Sequence, residues 1–389
     1  MKIRKPAYYD RFHCIAGACT DTCCAGWEID IDEDSLEKYL KETGEFGTLL
    51  RKKIRLPDPE SGEPAHFILS ARDRCPFLNE ANLCEIYAHM GEGALSQICT
   101  DHPRFYEWYA DLREMGIGIC CEEACRIILQ GRGLPTLVTE EDTAPLQTAA
   151  GSVTGEPEAD AEAEDSGPER ELENLLFAGR ERLFTLLDPA GGLSLADREN
   201  RLYAQAEPMQ TAYEDLLFGP AESAEPETEE AEKPKTGRLK TWEALFWNPD
   251  FLRDLIRFYG TLDINDRSWT ALLTKLEKDL PDLLICRDSL PGEHCLLPQE
   301  LTQLLWYFLY RYYMKARLDD DVSGKVGLAL LSVGMIELAA LDREREQGQL
   351  SEKELVDLCK LYSKEIEYDE ENVSALAEYF NEHCLSPMV

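Results

Sequence analysis

The chain has few of the hydrophobic segments that membrane insertion or export requires. Its longest apolar run, from Val326 to Leu341, is shorter than the roughly 20 residues of a bilayer span and contains Glu337. The N-terminus, MKIRKPAYYDRF, has basic residues but no apolar run behind them, so it does not resemble a secretory signal. We therefore expect a cytoplasmic protein with no membrane partner.

Positive charge is also scarce. The 389 residues include 76 acidic and 40 basic side chains, which gives a formal net charge of -36. Such a balance argues against a broad electrostatic contact with nucleic acid or with an anionic membrane. We expect no nucleic-acid partner.

The sequence contains no complete motif for a dinucleotide-binding loop or for radical S-adenosylmethionine chemistry. Gly91-Glu92-Gly93 follows a helical pattern, and Gly116-Ile117-Gly118 is not followed by a helix with a third glycine, so neither predicts a dinucleotide loop. Cys19 and Cys23 have the first interval of a radical S-adenosylmethionine motif, C-x3-C-x2-C, but position 26 is Gly26. That motif is therefore incomplete.

Composition divides the chain into three regions, and 44% hydrophobic content is enough for one large core or two ordinary ones. Residues 139–169 hold ten acidic side chains and no Lys or Arg, a composition typical of disorder. We expect an α+β fold that is predominantly helical. Its parts are a small Cys-rich metal-binding domain with short strands (1–136), an acidic disordered linker (137–169), and a helical bundle (170–389) with an acidic loop (220–237).

Local patterns in the first region predict three elements. WEIDID, from Trp27 to Asp32, alternates apolar and acidic residues as a half-buried strand does. A helix follows, with Asp34 or Ser35 as its N-cap and an apolar stripe of Leu36, Tyr39 and Leu40. RFYEWYADLREMGIGIC alternates on both sides of Ala110 to Leu112 and predicts a hairpin.

The third region has helical periodicity almost throughout. ERELENLLFAGRERLFTLL, WEALFWNPDFLRDLIRFYGTL and PQELTQLLWYFLYRYYMKARL repeat apolar residues at intervals of three and four. The acidic insert from Pro220 to Lys235 interrupts this periodicity and predicts a flexible loop.

Cysteine is abundant, but only in one part of the chain. Ten of the 14 cysteines lie between Cys14 and Cys125, and the other four (Cys286, Cys295, Cys359, Cys384) are scattered. Cytosolic thiols stay reduced, so dense cysteines there indicate metal binding or redox chemistry rather than disulfides. Thiolates bind zinc or iron–sulfur clusters. No C-x2-C pair typical of structural zinc occurs, which favours a cluster, with zinc as the alternative.

Three blocks of this region carry a family resemblance. CIAGACTDTCCAGWEIDID, CPFLNEANLCEIYAHMGEGALSQICTDHPRF and CCEEACRIIL resemble the flagellin lysine-N-methylase family, itself similar to a wider group of zinc- or iron-chelating cysteine domains. YFLYRYYMKARLDDD and YSKEIEYDEEN resemble that family's C-terminal blocks. The resemblance implies methyl transfer from S-adenosylmethionine to flagellin lysines, with flagellin as the protein partner and an iron–sulfur cluster, 4Fe–4S, as the metal centre.

The resemblance also implies which residues bind the metal. Its motifs fall on eight cysteines, with Cys120 and Cys125 fitting less well, and of the adjacent pair Cys23 and Cys24 one is expected to ligate while the other packs. Gly26 is expected to turn the chain and Trp27 to cover the site. The eight expected ligands are Cys14, Cys19, Cys23, Cys24, Cys75, Cys84, Cys99 and Cys121.

Polar residues outside the cysteine motifs have two interpretations each. Arg104 either holds the carboxylate of S-adenosylmethionine or ties a loop to an acidic neighbour. Arg311, Glu365 and Glu367 either form a helix-borne catalytic site or make salt bridges between packed helices. The alternative function is a metal-binding or electron-transfer protein with a helical interaction domain and no transferase activity.

Overall fold

The computed structural model describes two compact units, each with its own core. The first is formed by residues 1–127 and 136–142, and the second by residues 128–135 together with the described residues from 167 onward. The fold is α+β and predominantly helical, as predicted. The described residues are 1–59, 61–71, 73–142, 167–220, 241–264, 266–290 and 297–385.

The first unit contains a four-stranded sheet of order β4-β5-β1-β6 and a two-stranded ribbon. β1 runs parallel to β5 and antiparallel to β6, and β4 and β5 form the predicted hairpin, with Arg104 opposite Ile117 and Trp108 opposite Arg113. The strands are β1 (Lys2–Pro6), β2 (Ile54–Arg55), β3 (His66–Phe67), β4 (Arg104–Trp108), β5 (Leu112–Ile117) and β6 (Leu137–Glu141).

The start of the predicted linker, 137–169, is ordered. Its residues Leu137–Glu141 are β6, which pairs with β1 from Lys2↔Glu141 to Pro6↔Leu137. A strand of acidic residues is stable there because it pairs with a basic one: Lys5 contacts Glu140 at 2.8 Å. Residues 143–166 of that linker, and 221–237 of the predicted acidic loop, lie outside the described residues.

WEIDID has the predicted alternating burial but is not a strand. Ile29 and Ile31 are buried, while Asp30 forms a single bridge with His66. The helix behind it begins two or three residues earlier than predicted, because Asp32 is its N-cap and accepts the N–H of Ser35 at 2.9 Å. Of the predicted stripe, Tyr39 is buried, Leu36 is half-buried and Leu40 is exposed. The expected caps, Asp34 and Ser35, are helical residues.

The helices of the first unit are short. They surround a core in which the Phe67 and Phe77 rings meet edge to face at 5.2 Å. They are α1 (Glu33–Lys41), α2 (Gly44–Lys53), α3 (Glu85–Met90), α4 (Gln97–Asp101) and α5 (Glu122–Leu129).

The second unit consists of packed helices in its described residues, as the periodicity predicts. WEALFWNPDF, however, is divided between two helices, because Asn248 caps the second helix and Pro249 occupies its first turn. The helices are α6 (Gly167–Leu186), α7 (Leu195–Phe218), α8 (Trp242–Phe246), α9 (Pro249–Tyr259), α10 (Arg267–Ser289), α11 (Pro298–Tyr312), α12 (Ala316–Asp319), α13 (Val322–Gln347), α14 (Glu352–Ile366) and α15 (Glu370–Phe380).

Helix α13 forms the centre of this unit. Among the described residues it is the one helix long and apolar enough to cross a membrane, and its apolar window is entirely buried within the protein. Gly327 and Gly334 let Phe380 and Phe246 approach its backbone. This burial is typical of a core helix of a globular protein.

Candidate functional site

Two cysteine-bearing loops lie side by side in the first unit. The N–H of Cys75 donates to the carbonyl of Cys24 at 2.8 Å, and the N–H of Gly26 donates to the carbonyl of Asp73 at 3.1 Å. Gly26 has φ +92°, a conformation that glycine adopts without strain, so it turns the chain as expected. These contacts bring the first cysteine motif onto the second.

Cys84 and Cys99 complete this arrangement. Cys84 is the residue before α3, and Cys99 lies within α4. Both pack with Cys24 and Cys75 against the apolar core that contains Phe77. Cys23 joins them, since its Sγ lies 3.9 Å from that of Cys24. We call Cys23, Cys24, Cys75, Cys84 and Cys99 the core thiol group.

The members of this group interact electrostatically. Burial, together with the neighbouring Cys99, Cys84 and Cys23, raises the pKa of Cys75 to about 12. Burial also raises the pKa of Cys99 to about 11, with contributions from Cys84 and Cys23. The hydrogen bond with Cys24 and burial raise the pKa of Cys23 above its usual range. Without a metal, Cys23, Cys75 and Cys99 therefore favour the neutral thiol.

Trp27 lies beside the core thiol group. Its Nε1 donates to the carbonyl of Cys23 at 2.7 Å, and its ring stacks on His102 with centroids 5.9 Å apart. An indole held in this way can shield bound metal from water, the supporting role expected from the sequence.

The remaining expected ligands have other surroundings. Cys19 Sγ lies 3.6 Å from Glu122 Oε2, which also accepts the N–H of Thr20 at 2.9 Å. Burial raises the pKa of Cys121 to about 12, with Cys120 and Cys19 as neighbouring thiols. Cys14 is exposed, and its Sγ accepts the N–H of Ala16 at 3.4 Å. The eight expected ligands thus fall into two sets and one exposed residue.

The arrangement of the cysteine sulfurs can be compared with what a zinc ion and an iron–sulfur cluster require. Among the described residues, no group of three or more His, Cys, Asp or Glu side chains is arranged to hold a single ion. Tetrahedral zinc with Zn–S bonds of about 2.3 Å needs its sulfurs about 3.8 Å apart. The Sγ atoms of Cys23 and Cys24, 3.9 Å apart, lie near that separation. Several thiols around an apolar space are the donors that an iron–sulfur cluster takes.

Arg104 occupies the start of β4. Its guanidinium lies 5.1 Å from the Phe12 ring centroid and 6.0 Å from that of Tyr9, and Nη1 donates to the Thr100 carbonyl at 3.4 Å. Arg104 therefore ties a loop to the sheet, as one of its two interpretations predicts, but the contacts are with aromatic rings and a carbonyl rather than with an acidic neighbour.

In the second unit, Glu367 is the centre of a buried polar network. Its Oε1 accepts from Tyr307 at 2.9 Å and from Tyr312 at 3.0 Å, and its Oε2 accepts from Ser363. Arg311 Nη1 lies 3.6 Å from Oε1. Because donors occupy both oxygens and the side chain is 1% exposed, this geometry favours an ion pair between packed helices over an accessible catalytic base.

Glu365 has a similar role at another helix end. Its Oε2 accepts the N–H of Asp266, the N-cap of α10, at 3.1 Å. The structure therefore brings Arg311 and Glu367 together and uses Glu365 to join α14 to α10.

Comparison with known proteins identifies a family and several relatives. Residues 249–388 match the family described as FliB lysine N-methylase C-terminal domain. Lysine-N-methylase of Salmonella typhimurium is 33% identical over 132 residues, 33% of this chain and 33% of that relative. Flagellar biosynthetic protein FliU of Salmonella muenchen is 31% identical over 131 residues, 33% of this chain and 78% of that relative. The chain belongs to the FliB lysine N-methylase family.

The two relatives each match 33% of this chain. The chain spans about a third of the length of the relatives named Lysine-N-methylase. No solved structure matches the chain. The region that matches the FliB C-terminal domain contains Arg311, Glu365 and Glu367, whereas the core thiol group lies outside it.

Two features of this family member escaped the sequence analysis. Glu122, which accepts from Cys19 and Thr20, follows the cysteine motif without any distinguishing spacing. Arg198 is a buried cation between Leu195 and Leu202 on the apolar face of α7. A charge at helical spacing within an apolar stripe was the signal for Arg198.

Proposed function

We propose that this chain is a cytoplasmic protein-lysine N-methyltransferase that transfers methyl groups from S-adenosylmethionine to lysine side chains of flagellin. The observation that carries the proposal is membership of the FliB lysine N-methylase family. Two further relatives are named Lysine-N-methylase, and FliU is named a flagellar biosynthetic protein. These names support a lysine acceptor on a flagellar protein.

The core thiol group is our proposed binding site for a 4Fe–4S cluster, with zinc as the alternative. Four of Cys23, Cys24, Cys75, Cys84 and Cys99 would ligate it, and the fifth would pack. When bound, such a cluster supplies a soft, redox-active iron centre. The protein's own contribution is to gather the thiols from separate loops and to shield them with Trp27 and the Phe77 core. The five cysteines of the core thiol group are free thiols, as a metal site requires.

Methyl transfer places one demand on the acceptor lysine. Its amine must be neutral, because an ammonium has no lone pair to attack the methyl carbon, whereas an ordinary lysine has a pKa near 10.4. The transferase must therefore desolvate the amine or offer it a base. We assign Glu367 a positioning role, since Tyr307, Tyr312 and Ser363 already occupy its oxygens.

The test is methyl transfer by the purified full chain, prepared without oxygen, to recombinant flagellin. We expect intact flagellin to gain mass in steps of one methylene, only when S-adenosylmethionine is present. A flagellin in which every lysine is replaced by arginine is the control and is expected to gain none. An unchanged mass of wild-type flagellin would contradict the proposal.

The alternative is a metal-binding or electron-transfer protein without transferase activity. The core thiol group favours it independently, because that site needs no methyl donor. Colour and metal content distinguish the metals: a brown protein with iron and sulfide supports a cluster, and a colourless protein with zinc supports a structural zinc site.

A further inference from the structure

A groove of about 200 Å³ lies in the second unit, and none of its described lining residues belongs to the core thiol group or to the Glu367 network. Four leucines line it: Leu129 and Leu355 are buried, and Leu297 and Leu350 are half-buried. The volume is below the roughly 300 Å³ at which small-molecule sites begin. The groove therefore has room for one long side chain rather than for a whole cofactor.

Two carboxylates line the same groove, one from each of two helices. Glu300 lies in the first turn of α11, and Glu352 lies in the first turn of α14. The helix dipole favours negative charge in a first turn, which accounts for an acid at each position but supplies no counter-ion. The groove thus combines an aliphatic lining with two negative charges.

Among the residues that the structure describes, neither carboxylate pairs with a cation. Glu300 is half-buried, and its carboxylate has no hydrogen bond or ion pair within that part of the chain. Glu352 Oε1 accepts from the uncharged amide of Gln130 at 2.7 Å. Arg132 also lines the groove, but it is exposed and its Nη1 donates to the carbonyls of Gln130 and Gly131, at 3.3 and 3.1 Å. It adds one positive charge against two negative ones, so the groove can still accept a cation.

We propose that this groove binds a lysine side chain of the protein substrate, with its methylene chain against the leucines and its ammonium at Glu300 and Glu352. A lysine has an aliphatic stem and a compact cationic end with three donors, which suits two carboxylates on separate helices. A guanidinium, in contrast, pairs best with both oxygens of one carboxylate. This inference rests on the proposed function, because it takes the lysine to belong to flagellin.

The lysine held in this groove is not the lysine that receives the methyl group. Neighbouring carboxylates favour the charged form of an amine, whereas methyl transfer requires the neutral form. Glu300 and Glu352 both lie within residues 249–388, the part of the chain that matches the lysine N-methylase C-terminal domain. The groove is therefore a docking site, which holds one lysine of flagellin while another lysine is methylated.

The experiment measures the affinity of the full chain for recombinant flagellin by biolayer interferometry, and the kcat and KM of methyl transfer by the same variants. Glu300→Gln removes one charge at constant side-chain size, and Leu350→Trp fills the groove from a half-buried position. Glu370→Gln, in the first turn of α15, and Leu318→Trp, at a 64% exposed position, are the matched controls outside the groove. Circular dichroism checks the fold of each variant.

We expect Glu300→Gln and Leu350→Trp each to weaken flagellin binding about tenfold, which is what the loss of one charge-assisted contact costs. KM is expected to rise by a similar factor and kcat to stay unchanged, because a docking lysine takes no part in the chemistry. Both controls are expected to match the wild type. At matched ionic strength, Nα-acetyl-L-lysine amide is expected to displace flagellin from the wild type, whereas Nα-acetyl-L-norleucine amide, which lacks the ammonium, is not.

Equal flagellin affinity of the wild type, Glu300→Gln and Leu350→Trp overturns the docking proposal, as does the absence of flagellin binding to the wild type. If those variants bind and methylate flagellin normally, the docking proposal fails while the proposed function stands. A lower kcat of Glu300→Gln at unchanged affinity also overturns it, since Glu300 would then act on the acceptor lysine. Equal displacement by the two amides contradicts the role of the carboxylates. If flagellin binds through the groove but gains no methyl groups, the proposed function fails alone.

Discussion

The main-chain N–H of Cys75 donates to the carbonyl of Cys24 at 2.8 Å, and this bond joins two cysteine motifs that lie far apart in the sequence. Because the bond is between backbone atoms, it positions the thiols whether or not metal is bound. Metal binding then requires the cysteine side chains to change conformation, while the loops that carry them are already folded.

Serine substitution within the core thiol group is expected to remove iron. Cys75→Ser and Cys99→Ser each replace a soft thiol by a hydroxyl that binds iron poorly, so we expect most of the bound iron and sulfide to be lost. The measurement is iron and sulfide per chain after purification without oxygen. Cys359→Ser is the control: its thiol is buried in the second unit, and its iron content is expected to match the wild type.

Cys19→Ser is expected to retain the iron that Cys75→Ser loses. Cys19 contacts Glu122 and is not among the cysteines packed on the first core. Equal iron loss in the two variants would show instead that the two sets of cysteines form one metal site.

Removing the charge of Glu367 is expected to destabilise the second unit. Glu367→Gln leaves Arg311 without its buried carboxylate and changes an acceptor shared by two tyrosines, at a cost of about 3 kcal/mol. Urea unfolding monitored by tryptophan fluorescence measures this. The matched control is Glu370→Gln, an exposed carboxylate whose side chain is 74% accessible, with an expected change below about 0.5 kcal/mol. Equal effects of the two substitutions would contradict the buried network.

Stability is expected to depend on pH through Asp32. Burial tends to raise the pKa of its carboxyl, but the N–H groups of Gln97 and Ser35 outweigh burial and lower the pKa. A lowered pKa stabilises the fold above the ordinary carboxyl pKa of about 3.9, and this stability is lost as the pH falls through the lowered value. Asp32→Asn is therefore expected to lower the free energy of unfolding by about 1 kcal/mol at pH 7 and by progressively less toward pH 3.

Unfolding of the wild type and Asp32→Asn by urea at several pH values checks this. Asp34→Asn, an exposed position in the first turn of α1, is the control and is expected to show little change. A difference in the free energy of unfolding between wild type and Asp32→Asn that stays constant down to pH 3 would contradict the proposed contribution of the Asp32 carboxylate.

Gly327→Ala is expected to destabilise the chain although alanine favours helices. Alanine gains about 1 kcal/mol in helix propensity, but its Cβ at 327 would lie 1.9 Å from Phe380 Cγ. Overpacking of that kind costs about 1–3 kcal/mol, so we expect a lower melting temperature. Gly167→Ala, where no atom lies within 4 Å of the added Cβ, is the control, and it is expected to leave the melting temperature unchanged or slightly raised.

Much of the fold follows from local periodicity. The β4–β5 hairpin and the long helices were predictable because alternation and three-four spacing act over a few residues. The strands β1 and β6 were not, because their charged sequences form strands only when they pair with distant partners: β6 with β1, and β1 with both β6 and β5. The N-cap Asp32 was missed because Asp32, Asp34 and Ser35 are all residue types that can cap that helix.

The candidate site was predictable in residue type but not in grouping. The family resemblance named the cysteines as candidates, yet it could not separate Cys19 and Cys121 from Cys75 and Cys99, because that separation depends on which core each loop packs against. Arg311 and Glu367 were candidates because they are polar residues in helical segments rich in aromatic side chains, and their role became clear only from the hydroxyl groups that surround them.

The most direct measurement of the central claim is peptide mass spectrometry of flagellin after incubation with the purified, iron-loaded chain and isotopically labelled S-adenosylmethionine. We predict labelled methyl groups on lysine side chains, reduced at least tenfold with Cys99→Ser and unchanged with Cys359→Ser. Flagellin lysines without label, in the presence of wild-type protein whose iron is intact, would contradict the assignment of this chain as a flagellin lysine methyltransferase.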